Sequence, residues 1–107
     1  MDEPIYMLNA LWLKKDGGAE KYLEYGAAAR PLLAKAGAEV QENYAPEQSL
    51  IGDFDPDVFF MVRYPSMDAF KTMIGSPEYQ KILHLREEAI DNSLLIRCKP
   101  YDWNASR

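Results

Sequence analysis

Along this chain the spacing of apolar residues switches between a period of two and a helical period of about 3.6, and the switches mark the elements. "PIYMLNALWL" reads as a first strand, with Ile5, Met7, Asn9, Leu11 and Leu13 on one parity and Tyr6, Leu8, Ala10 and Trp12 on the other. "KKDGG" breaks it. From Ala19 to Lys35 the apolar positions fall at helical spacing, with Tyr22, Tyr25, Gly26, Ala29, Leu32, Leu33 and Ala36 on a broad side. Glu20, Glu24 and Lys35 lie opposite; Pro31 should tighten or kink the last turns, and Gly37 closes the helix. "AEVQENYAPEQSLIG" follows as a second strand interrupted near Ala45 and Pro46, and "DFDPD" is a turn. "VFFMVRY" is the third strand. Ser66 is placed to cap a short helix with Asp68 in its first turn. Gly75 ends that helix and Ser76 caps a new one, with Pro77 at its first position. "SLLIRC" is the fourth strand, and residues 98–107 form a C-terminal tail carrying Trp103.

The order βαββαβ, with a divided second helix, predicts an α+β ferredoxin-like sandwich in a single domain over residues 1–107. Two helices cover only one face of a four-stranded antiparallel sheet, so its strands should alternate apolar and polar residues. Here the first strand is apolar on both parities, and "VFFMV" and "LLI" are nearly so. The second face, with Tyr6, Leu8 and Trp12, therefore needs a cover. A second copy of the chain packed sheet to sheet is the economical choice, giving a homodimer. A twisted monomer with an apolar groove, or the C-terminal tail laid on that face, is the alternative.

Composition narrows the partners. The chain has 107 residues, enough for one core, with 48% hydrophobic residues and a net charge of -5. No basic cluster exceeds Lys14-Lys15, which argues against nucleic acid and anionic membrane surfaces. No run approaches the roughly 20 apolar residues of a membrane span. Cys98 is alone, so neither a disulfide framework nor a cysteine-based zinc site is expected. The acidic start "MDEPIYM" lacks the features of a signal peptide, and a cytoplasmic location is the default.

The succession "EYGAAARPLLAKAGAE" and "GDFDPDVFFMVRYPSMDAFKTMIGSPEYQKILHLREEAID" resembles the family called domain of unknown function 1330, within the dimeric α+β barrel superfamily. The likeness runs from about Tyr6 to Arg97 and is most specific at Tyr64-Pro65-Ser66, Ser76-Pro77-Glu78-Tyr79 and Arg86. It implies a ferredoxin-like protomer pairing as a dimeric barrel, and no established reaction. Arg63 and Ile51 stand where that family commonly has glutamates, and Met73 where it has an aromatic. The superfamily also contains heme-degrading monooxygenases, whose pattern has an Asn on the first strand, a Trp on the short helix and a heme-ligating His on the next. Asn9 matches the first, but Met73 and Leu83 occupy the other two positions, and His84 falls one residue late. Heme oxygenation is therefore not expected, and no cofactor is implied.

The candidate residues sort by position on the last helix. With Tyr79 at zero and about 100° per residue, Leu83, Arg86 and Ile90 fall on one stripe within about 40°. His84 lies about 140° away and reads as a solvated residue, a weak candidate at most. A guanidinium within an apolar stripe needs a carboxylate, carbonyls or a ligand. Arg86 is thus either a structural ion-pair residue or an anion clamp at the mouth of a helix–sheet cleft. Asn9, polar among apolar neighbours, either bonds backbone or faces that cleft. Tyr22, Tyr25 and Tyr79 would be its walls. Ser66 and Ser76 are explained by capping, and the chain shows no Ser-His-Asp order, metal cluster or phosphate loop. The function expected is binding of a small organic carbonyl or carboxylate compound. Turnover, if any, would resemble a cofactor-independent oxygenase or isomerase. The alternative is a non-catalytic binding or structural module in which Arg86 only ties helix to sheet.

Overall fold

The structure is a computed structural model and describes residues 3–105. Seven elements follow one another: β1 (Ile5–Leu13), α1 (Gly18–Lys35), β2 (Glu39–Val40), β3 (Val58–Tyr64), α2 (Met67–Gly75), α3 (Pro77–Ala89) and β4 (Ile90–Cys98). The sheet order is β2-β3-β1-β4, with every neighbouring pair antiparallel. This is the ferredoxin-like arrangement that the alternation predicts, with the second helix divided into α2 and α3.

Local chemistry sets the boundaries. Ser66 Oγ accepts from the Ala69 N–H at 3.0 Å and starts α2; Ser76 Oγ accepts from the Tyr79 N–H at 3.1 Å and starts α3. Ser76 is extended (φ -70°, ψ 149°), so the chain turns a corner between the helices. At the end of α1, Gly37 takes φ 75°, and the Ala38 N–H reaches the Leu33 carbonyl at 2.9 Å while the Gly37 N–H reaches that of Ala34 at 3.1 Å. That pair of bonds is a Schellman cap, and it needs a residue tolerant of positive φ. Helix α1 continues through Pro31 to Lys35.

Two boundaries differ from expectation. The second strand shortens to Glu39–Val40 with an isolated bridge at Tyr44–Phe59. The Gln41 N–H meets the Met61 carbonyl and the Tyr44 N–H meets that of Phe59, so three steps on one strand oppose two on the other. An extra residue of this kind breaks the ladder. Ile90 belongs to β4, opposite Leu13, and not to the helical stripe of Tyr79, because α3 passes into β4 with no intervening loop.

Registers of β1 with β3 and β4 fix the two faces of the sheet. Ile5, Met7, Leu11, Phe60, Val62 and Tyr64 pack under the helices with Phe70, Met73 and Tyr79, and these residues form the core. The other face carries Tyr6, Leu8, Trp12, Phe59, Met61, Leu94 and Ile96, with no helix over it. Ala10 is buried there between Phe59 and Leu94, whereas Leu94 and Ile96 remain 38% and 44% exposed. In the tail, Tyr101 and Trp103 are exposed and stack edge to face on each other at 4.8 Å. Arg63, at the rim of this face, pairs within its own sheet with Glu39 at 3.3 Å. Among the described residues no helix is long and apolar enough to cross a membrane.

Candidate functional site

Between the helices and the sheet a cleft of about 250 Å³ opens, and it gathers residues from six elements. Asn9 is the one polar residue on the core parity of β1, and it projects toward the helices opposite Leu95 of β4 and Phe60 of β3. Helix α3 presents Tyr79, Leu83 and Arg86 at steps of four and three residues, so all three line the same wall. Tyr25 reaches in from α1, and Leu33, Phe70 and Met73 supply apolar walls. Asn9, Tyr25, Tyr79 and Arg86 are therefore brought together as the sequence expects.

Arg86 is half-buried. Among the described residues the ion pairs are Lys21–Glu88 and Arg63–Glu39, neither involving Arg86, and its guanidinium makes no hydrogen bond among them. It is the only charged residue lining the cleft among those described. Its five donors face a site that holds no carboxylate.

The polar atoms around it are mainly donors as well. The hydroxyls of Tyr25 and Tyr79 lie 2.8 Å apart, their rings edge to face at 6.3 Å. One O–H serves the bond between them, which leaves the second for a third partner. Burial pushes the Tyr25 phenol far above its usual value, and the adjoining Tyr79 hydroxyl pushes in the same direction. Burial likewise raises Tyr64, on the far wall, to about 12. Such phenols stay neutral at ordinary pH and can donate a hydrogen bond, but are weak acids and cannot act as resting bases. Asn9 gives one N–H to the Met7 carbonyl at 3.2 Å and keeps its second N–H and its carbonyl oxygen.

Tyr22 does not line the cleft. It stands behind Tyr25, ring centroids 5.3 Å apart, and burial raises it to about 12 against the opposing pull of the Arg86 guanidinium. His84 is exposed and does not line the cleft, in keeping with its wheel position. Four lining residues were not singled out in the sequence: Phe70, Ile74, Gln80 and Leu95. Only register points to Leu95, through its pairing with Asn9. Gln80 lies off the Tyr79 stripe and folds its amide back onto the Ile74 carbonyl at 2.7 Å. Among the described residues no three His, Cys, Asp or Glu side chains could hold a metal ion.

An antiparallel ferredoxin-like sheet with a donor-lined cleft under its helices is the class that fold and site define. The chain belongs to the family described as domain of unknown function (DUF1330), whose model matches residues 6–97. A similar solved structure is the RPA0582 protein of unknown function from Rhodopseudomonas palustris, 35% identical over 95% of this chain and 85% of that one, with a TM-score of 0.84. At the level of fold alone, the chain is similar to a dimeric ferredoxin-like protein of unknown function from Jannaschia sp. CCS1 (14% identity, 91% of this chain and 99% of that chain covered, TM-score 0.69). It is likewise similar to a dimeric protein of unknown function and ferredoxin-like fold from Bacteroides fragilis (12%, 90% and 95%, TM-score 0.60). No curated protein matches the chain.

Proposed function

We propose that this protein binds a small, partly apolar organic anion in the helix–sheet cleft, as a homodimer closed by its open sheet face. The observation that carries the first part is Arg86, half-buried in an apolar wall and unpaired among the described residues. A carboxylate or enolate oxygen would take its fork, with the free Tyr25–Tyr79 hydroxyl and Asn9 as further contacts. Tyr22 supports the wall from behind. The alternative role for Arg86, an internal ion pair, lacks a carboxylate among the described residues.

Among the described residues, the cleft lining contains no carboxylate, histidine, lysine or thiol. It can stabilise negative charge through hydrogen bonds, but it offers no strong base to remove a proton. A substrate would therefore have to arrive as its own anion, which fits a cofactor-independent oxygenase- or isomerase-like reaction of an acidic carbonyl compound. The same lack favours a second reading, binding without turnover. Support for the homodimer comes from Leu94 and Ile96, exposed on the sheet face away from the helices, and from fold neighbours described as dimeric.

A thermal-shift screen of small carboxylates against their amides tests the site. Acids at ten times Kd should raise stability by about 1.4 kcal/mol in wild type. They should leave Arg86→Ala unmoved, and the amides should do nothing to either. Equal shifts in both proteins, or none from any acid, would overturn the assignment. For the dimer, sedimentation at micromolar concentration should give a dimer that Ile96→Glu converts to monomer. A monomeric wild type would refute it.

A further inference from the structure

A second cavity of about 290 Å³ lies between the end of α1 and the α2–α3 corner, with Leu32, Ala36, Ala69 and Thr72 among its walls. Met73 is buried and lines both this cavity and the cleft. The second cavity is apolar in its interior: the Ser76 hydroxyl is already engaged, donating to the Met73 carbonyl at 2.8 Å and accepting from the Tyr79 N–H. Its charged residues, Lys35 and Glu78, are exposed and belong to its rim.

The cation and the methionine stand at opposite ends of the cleft. Tyr79 and Arg86 are seven residues apart on α3, about 10 Å along the helix axis. Met73 adjoins the start of that helix, where its carbonyl receives the Ser76 N–H at 3.2 Å. A molecule gripped at Arg86 and lying along the cleft points its far end at Met73. That side chain is unbranched, with three rotatable bonds, and yields more readily than an aromatic or β-branched one.

We propose that the second cavity is a subsite for the apolar tail of the ligand held at Arg86, reached past Met73. The ligand class is then an elongated monocarboxylate with an unbranched apolar chain, not a compact acid. This rests on the cleft being an anion site, and the test separates the two claims. The probes are straight-chain alkanoates from hexanoate to dodecanoate, titrated calorimetrically below their micellar range. In wild type, affinity should rise about threefold to fourfold per added methylene until the second cavity is filled. Met73→Phe closes the passage, and Ala69→Leu fills the cavity from its far wall, so either variant serves if the other fails to fold. Both should stop the rise at a shorter chain, and Ala69→Leu, which lies outside the cleft lining, should bind hexanoate within twofold of wild type. A rise that stops at the same chain length in wild type and both variants would overturn the subsite and leave the anion site standing. Absence of binding at every length, or hexanoate binding unchanged in Arg86→Ala, would overturn both.

Discussion

Replacing Arg86 with methionine should make this protein more stable while removing its ligand affinity. The guanidinium is half-buried on the wall shared by Tyr79 and Leu83, and no carboxylate or carbonyl among the described residues satisfies it. Holding a charge partly out of water without a partner is unfavourable. Methionine keeps an unbranched apolar stem at this position, so most packing survives the change. Because the cleft is open and the group only half-buried, solvent screens the charge and the gain is modest, about 1 kcal/mol. For a chain of this size that corresponds to a rise in Tm of about 4 °C. Calorimetric melts of both proteins at one fixed protomer concentration measure it, since self-association makes Tm concentration-dependent. If Arg86 instead held a structural ion pair, the substitution would leave a buried partner unpaired and cost about 3–5 kcal/mol. A large fall in Tm would therefore refute the unpaired arginine and the ligand site built on it.

The tyrosines give a pH prediction. Tyr22 and Tyr64 are raised in the folded state to about 12, and Tyr25 is raised as well. The unfolded chain loses these protons first, near pH 10, so their contribution is complete below that pH, and that of Tyr22 and Tyr64 disappears as pH climbs through about 12. Urea midpoints should fall across that window, and Tyr64→Phe should flatten the fall; an unchanged slope would contradict it. Two glycines in α1 should respond with opposite signs. A Cβ at Gly18 would sit 2.8 Å from the Ala89 carbonyl oxygen, whereas one at Gly26 meets nothing within 4 Å. Gly18→Ala should destabilise by about 1–3 kcal/mol and Gly26→Ala should stabilise by about 0.5–1 kcal/mol, both read from chemical denaturation. Tyr25→Phe removes the bond to Tyr79 and should cost about 1 kcal/mol in the same assay.

Much of this architecture is legible in the sequence because its signals are local. Ser66 and Ser76 are followed at the right distance by backbone donors, so the division of the second helix could be placed to the residue. The two-faced apolarity of β1 likewise announced a sheet face with no helix over it. The wheel separated Arg86 from His84 because both lie on one continuous helix, where angle follows from spacing alone. What remained hidden depends on pairing across the chain. The three-against-two step at Gln41–Tyr44 shortens β2, and nothing in "VQENY" itself declares it. The passage of α3 straight into β4 moves Ile90 from helix to strand, because opposite Leu13 it completes a ladder that the helical pattern cannot foresee. Leu95 enters the cleft only through its register with Asn9. The Tyr25–Tyr79 contact joins residues 54 positions apart, beyond the reach of any local period.

The central claim is that Arg86 grips an anion inside the cleft. Its most direct test is a titration of isotope-labelled protein with hexanoate, following side-chain N–H resonances by NMR. Saturable shifts at the Arg86 Nε–H and the Asn9 amide, abolished in Arg86→Met, are the predicted result. Shifts confined to surface residues, or a response at Asn9 that persists without Arg86, would contradict it.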